Sequence, residues 1–185
     1  MPVGYPSNVL VMAGHDKDNL DEPVRFRIDF VLSLGDNAIQ VLKNLYDRYR
    51  KPIFAVRGDK DGRTPFPKGV TDIHLRVETY RNWTVGGFGG TLWQKERGLN
   101  MWSDAEAREM LEDMPSCDIF ICHNPVAGLT KNGETLADQG SAAIREYIIQ
   151  KKPKIVYHAH APDGWSHKRG DTAIIGIHGW KVIHL

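Results

Sequence analysis

The chain has 185 residues, 41% hydrophobic and 25% charged, the balance of an ordinary folded domain. This excludes a disordered chain, a collagen-like fibre and a long coiled coil, and a chain this long needs no disulfide or metal merely to fold. Twenty-four Lys and Arg against 23 Asp and Glu leave a net charge of +1, so no global field draws the protein to nucleic acid or to an anionic membrane. No run approaches the ~20 apolar residues that span a bilayer. The first residues, Met1 to Pro6, carry neither the basic nor the apolar region of a signal peptide. Cys117 and Cys122 fall on one expected strand and form no CxxC pair, which fits a reducing, cytoplasmic setting.

In chain order, Asn8 to Ala13 is an apolar run ending at Gly14 and reads as a buried strand. Asp29 to Leu34 is a second, ending at Gly35-Asp36-Asn37. Ala38 to Tyr49 then places Ile39, Leu42, Leu45, Tyr46 and Tyr49 at helical spacing, with Pro52 just beyond. Ile53 to Val56 is a third strand, closing on Arg57-Gly58-Asp59-Lys60-Asp61. Ile73 to Thr79 and Trp83 to Val85 read as a hairpin around Arg81-Asn82, followed by the glycine cluster 86–90. That cluster is not GxGxxG and carries no phosphate-loop lysine, so it makes a weak nucleotide cradle. Ser103 and Glu106 form a capping box for a helix that Pro115 stops. Asp118 to Cys122 is a strand ending at His123. Gly140-Ser141 opens a helix to about Gln150, and Ile155 to Tyr157 is a strand ending at His158-Ala159-His160. Ala173 to Ile177 and Lys181 to Leu185 read as a closing hairpin around Gly179. With no repeat, linker or low-complexity stretch, residues 1–185 form one expected domain.

Five of these strands end in residues that can bind a metal: His15, Asp36, Asp59, His123, and the pair His158 and His160. Ligands of open α/β sheets bind outside the carboxyl ends of the strands, where residues distant in sequence converge. Each residue alone has an ordinary reading. A His after a strand is usually a surface or hydrogen-bonded residue, and a Gly-Asp is usually a turn. Their recurrence at matching positions points to a site. Imidazole with carboxylate suits manganese, zinc, iron or nickel rather than calcium.

The pattern resembles the calcineurin-like metallophosphoesterases, whose order is D-x-H, G-D, G-N-H-D or G-N-H-E, a lone His, and G-H-x-H. Here those positions hold Ala13-Gly14-His15, Gly35-Asp36-Asn37, Gly58-Asp59-Lys60-Asp61, His123-Asn124-Pro125 and Tyr157-His158-Ala159-His160. The resemblance implies an α/β sandwich of two mixed β-sheets flanked by helices. It implies a phosphate-ester substrate, a phosphodiester by analogy with the small members of the family, and one or two divalent transition-metal ions, manganese first. Asp36 would bridge two ions, His15 and His160 would serve the first, and Asp59, His123 and His158 the second. Such a pair activates water and stabilises in-line displacement at phosphorus.

The chain departs from the family at three positions. Ala13 replaces an Asp and cannot ligate, which weakens the first ion's site unless Asp16 or Asp18 substitutes. Asp59 replaces an Asn and adds a negative charge. Lys60 replaces the His that helps protonate the leaving group; an ammonium offers charge to a phosphate but is a poor proton donor at neutral pH. The acidic segment from Asp16 to Pro23 is short, leaving one sheet face thinly covered or covered by a second subunit. Arg57, Arg63 and Lys68 offer either a basic rim or a solvated face. Trp93 to Arg97 and Asn100-Met101-Trp102 either overhang the site or simply pack. Some members of the family keep the fold and act as protein-binding scaffolds, so a catalytically impaired scaffold stands as the alternative to an enzyme.

Overall fold

The structure, a computed structural model, describes residues 7–14, 27–93, 97–128, 130–131, 134–135, 140–161 and 166–185. The first half contains β1 (Asn8–Ala13), β2 (Phe30–Ser33), α1 (Ile39–Tyr49), β3 (Ile53–Ala55), β4 (Val70–Asp72), β5 (Arg76–Tyr80), β6 (Trp83–Phe88) and β7 (Thr91–Leu92). The second contains β8 (Met101–Trp102), α2 (Asp104–Glu112), β9 (Ile119–Cys122), β10 (Thr130–Lys131), β11 (Glu134–Thr135), α3 (Ala142–Lys151), β12 (Ile155–His158), β13 (Ser166–Arg169), β14 (Thr172–Gly176) and β15 (Gly179–His184). One sheet has the order β15-β1-β2-β3-β4, the other β13-β14-β12-β9-β6-β5. Both are mixed: only β1 with β15, β13 with β14 and β5 with β6 run antiparallel within them.

The two sheets pack face to face. Val9, Val11, Phe30, Leu32 and Phe54 of the first meet Val85, Ile119, Ile121 and Tyr157 of the second in one buried cluster. Residues in between point the other way. Leu10, Met12, Val31 and Ile53 pack under Leu42 and Leu45 of α1, and Phe120, Cys122 and Val156 pack under Leu111 of α2 and Ile144, Tyr147 and Ile148 of α3. Strands buried on both faces need apolar side chains at successive positions, which is why β1, β2, β3 and β9 read as unbroken hydrophobic runs. The capping box of Ser103 and Glu106 is formed, and Ser141 caps α3 by accepting from the Ile144 N–H. Both cysteines are buried free thiols. Among the described residues no helix is long and apolar enough to cross a membrane.

Three expectations change. The strand expected from Ile73 to Thr79 begins only at Arg76, as β5; residues 73–75 are the link that leads to it from β4 in the other sheet. β4 pairs with β3, Ile73 sits in the inter-sheet core, and β5 joins the other sheet after Leu75 takes a left-handed φ of 56°. The closing hairpin is likewise split. β14 lies between β12 and β13, whereas β15 crosses over to pair with β1. The first glycines of the 86–90 cluster belong to β6, and they serve packing. A Cβ on Gly87 would stand 2.6 Å from Val56 Cγ1, so only glycine lets the sheets meet there.

Candidate metal centre

Strand ends of both sheets bring four of the expected residues together. Beyond β2, Gly35 and Asp36 take left-handed φ values of 98° and 56°, which turns the Asp36 carboxylate across the end of the sheet. Asn37 shapes this turn by donating to Ser33 Oγ at 2.8 Å and to the Gly35 carbonyl at 3.1 Å. Beyond β3, the loop 57–61 laces onto it. Asp61 Oδ2 accepts the backbone N–H of Asp36 and that of Gly58, each at 2.8 Å, and the Lys60 N–H donates to Asp36 Oδ1 at 3.0 Å. Gly58 is obligatory, since a Cβ there would lie 2.0 Å from Asp36 Oδ1. From a third loop, Asn100 Nδ2 donates to the Gly58 carbonyl at 2.8 Å and to that of Asp61 at 2.7 Å.

The six-stranded sheet contributes the histidines. His123, 1% exposed, donates from Nδ1 to the Leu34 carbonyl at 2.7 Å and so turns Nε2 to the centre. That nitrogen lies 3.0 Å from Asp59 Oδ1, 3.6 Å from Asp36 Oδ2 and 2.8 Å from His160 Nε2. His160, at φ 54°, sits 4.0 Å from Asp59 Oδ1. The candidate ligand atoms of Asp36, Asp59, His123 and His160 all fall within 4.8 Å of one another.

The donors demand positive charge at this centre. Asp36 Oδ2 is buried with no hydrogen-bond partner among the described residues, and two imidazole nitrogens and two carboxylates point at one spot. A proton on His123 Nε2 is one way to supply the charge. Burial alone would push the His123 pKa down, but its bond to Asp59, the Asp36 charge and the Leu34 carbonyl outweigh burial and raise it. The same bond from His123 holds Asp59 down at about 2 against the opposing effect of burial. A divalent ion satisfies the same four atoms, and mixed nitrogen and oxygen donors match a transition metal. The set therefore fits such an ion.

Other expected residues fall as follows. His158 is buried at the end of β12, with Nδ1 2.8 Å from the Ala159 carbonyl, and it is not one of the four converging ligands. Burial drives its pKa to about 4, which keeps it neutral. His15, Asp16 and Asp18 lie outside the described residues. Ala13 is buried in the inter-sheet core, where its methyl offers no ligand. Lys60 is exposed beside the cluster. Arg57 is tied to the Gly62 and Thr64 carbonyls and stacks over Phe66, so it braces the loop instead of forming a rim. Asp61 and Asn100 had no role assigned from sequence, although Asp61 stands two residues past Asp59 and Asn100 lies in the loop singled out for its aromatic residues.

No family model matches the sequence, and no curated protein matches it significantly. Solved structures do match. The protein TT1561 of Thermus thermophilus superposes with a TM-score of 0.65 at 16% identity, over 92% of this chain and 88% of that one. A candidate 5'-nucleotidase of Staphylococcus aureus, solved with alpha-ketoglutarate, gives 0.52 at 14% identity over 93% of this chain and 48% of the other. The chain has the metallophosphoesterase fold. Four of the six strand-end residues of the calcineurin-like order, Asp36, Asp59, His123 and His160, form the cluster. The sandwich thus brings candidate ligands from two sheets to one point.

Proposed function

We propose that the protein is a metal-dependent phosphoesterase acting on a phosphodiester. The convergence of Asp36, Asp59, His123 and His160 carries this reading. These four residues would hold a divalent ion, manganese in the first instance, and His15 with Asp36 is the candidate pair for a second. His158 would be a further candidate ligand, as the resemblance implies, although it does not join the four. The ion supplies Lewis acidity toward phosphate oxygens and lowers the pKa of water.

The chain's own residues position and orient. Asp61 and Asn100 fix the loop that presents Asp59, and the Leu34 carbonyl fixes the His123 tautomer. Lys60, exposed and next to Asp59 in the chain, would offer its ammonium to the phosphate. Lacking an imidazole at that position, the enzyme favours esters whose leaving group departs unprotonated. The free thiols fit a cytoplasmic protein.

The test is metal content by plasma mass spectrometry, paired with hydrolysis of bis(p-nitrophenyl) phosphate in added manganese. The wild type is expected to retain metal and turn over, and Asp36→Ala to lose both. Turnover no higher than that of Asp36→Ala, with no retained metal, overturns the enzyme and leaves the scaffold reading.

A further inference from the structure

A cavity of about 410 Å³, lined by Arg57 and Asn100 but by none of the four clustered residues, lies beside the loop 57–61. It is large enough for a small organic molecule, for which pockets of about 300–1,000 Å³ are usual. Arg57, Gly89, Gly90 and Asn100 form the wall it shares with the metal loop, and Leu99, Met101, Trp102 and Met110 form an apolar side. Thioethers and an indole suit the face of an aromatic ring. Leu99 is 59% exposed, a large apolar side chain held at the mouth of a cavity instead of inside the core.

The polar lining narrows the ligand. Arg57 is committed to two backbone carbonyls, and Arg97 is paired with Glu106 at 2.8 Å. Against these two cations the described lining sets three carboxylates, those of Asp72, Glu106 and Glu109. An anion gains nothing there. His74 is stacked on Phe88, and its Nδ1 accepts the Gly89 N–H at 2.9 Å, so the ring proton sits on Nε2 and is available to donate. Burial favours this neutral ring. Donor and acceptor groups therefore stand around an apolar slot that carries no surplus positive charge.

We propose that this cavity binds a flat, uncharged heteroaromatic molecule of purine size, through ring contacts with the Met101, Trp102 and Met110 side and edge hydrogen bonds with His74 and Glu109. Asn100 lines the cavity and also donates to Gly58 and Asp61, so the occupant lies one loop away from the cluster.

The test is calorimetric titration of the full chain with adenine, and separately with inorganic phosphate. Adenine is expected to bind at one site, and Leu99→Asp and Met110→Trp to weaken that binding about tenfold or more, the equivalent of about 1.4 kcal/mol. Leu99 is exposed, so Leu99→Asp folds, and its manganese binding is expected to match the wild type. Failure of adenine to bind at millimolar concentration overturns the proposal. Adenine binding that neither variant weakens overturns it too, as does phosphate competing for the adenine site.

Discussion

At the scale of single residues, the candidate centre depends on side chains that never face a ligand. Asp61 holds two backbone N–H groups with one carboxylate oxygen. Asp61→Ala leaves both donors unmatched and lets the Asp36 and Asp59 loops part. Its expected effect is a loss of about 10–100-fold in manganese affinity with the fold intact, read by calorimetry and circular dichroism. Lys60 tests the chemistry instead of the scaffold. Lys60→His restores a group that can give up a proton near neutral pH, so turnover of an alkyl phosphodiester should rise, by about 100-fold if general acid catalysis is fully restored. An ester with a p-nitrophenolate leaving group should respond far less, because it needs no proton. Equal responses from the two esters would count against a leaving-group role at this position.

At the scale of elements, the sheet end opposite the site has its own clamp. Asp118, just before β9, accepts the Thr84 N–H and hydroxyl, lies 2.8 Å from the Lys154 ammonium, and receives the N–H groups of Lys154 and Ile155 on its carbonyl. Burial pushes its carboxyl up, but Lys154 and Thr84 outweigh burial and bring it below the usual 3.8. A depressed folded pKa gives stability above 3.8 that drains away as the pH falls through the lower value. Asp118→Asn is expected to cost about 1 kcal/mol near neutrality and to flatten the acid limb of stability below pH 3.8, measured by urea unfolding across pH. The elements differ in how plainly the sequence shows them. β1, β2 and β9 stand out because both faces are buried. β13, Ser-His-Lys-Arg, is an edge strand with mostly exposed side chains, so no apolar pattern marks it. The crossing near Leu75 is hidden because Ile73, Leu75 and Val77 alternate like one strand, and leucine carries no turn signature. Asn100 is hidden for another reason: it acts on backbone carbonyls 42 and 39 residues away.

At the scale of the molecule, the inter-sheet cluster joins both sheets through Ile119 and Ile121 on one side and Leu32 and Phe54 on the other. Ile121→Ala should therefore cost about 2–5 kcal/mol and leave one calorimetric transition, as expected of a single domain. Two separated transitions would divide the chain. Four of the candidate ligands are legible because strand ends converge whatever the loops between them do. Which ligands meet is a matter of side-chain direction, and His160 joining Asp59 and His123 depends on a left-handed backbone that no residue type announces.

The four candidate ligands also divide by layer: Asp36 and Asp59 follow β2 and β3, whereas His123 and His160 follow β9 and β12. An ion held by all four is a rivet through the sandwich. The melting temperature then becomes a gauge of free metal. An ion at one hundred times its dissociation constant adds about 2.7 kcal/mol, and a chelator takes that away without touching a covalent bond. If the ion binds, a cell that runs short of the metal would lose this protein's durability.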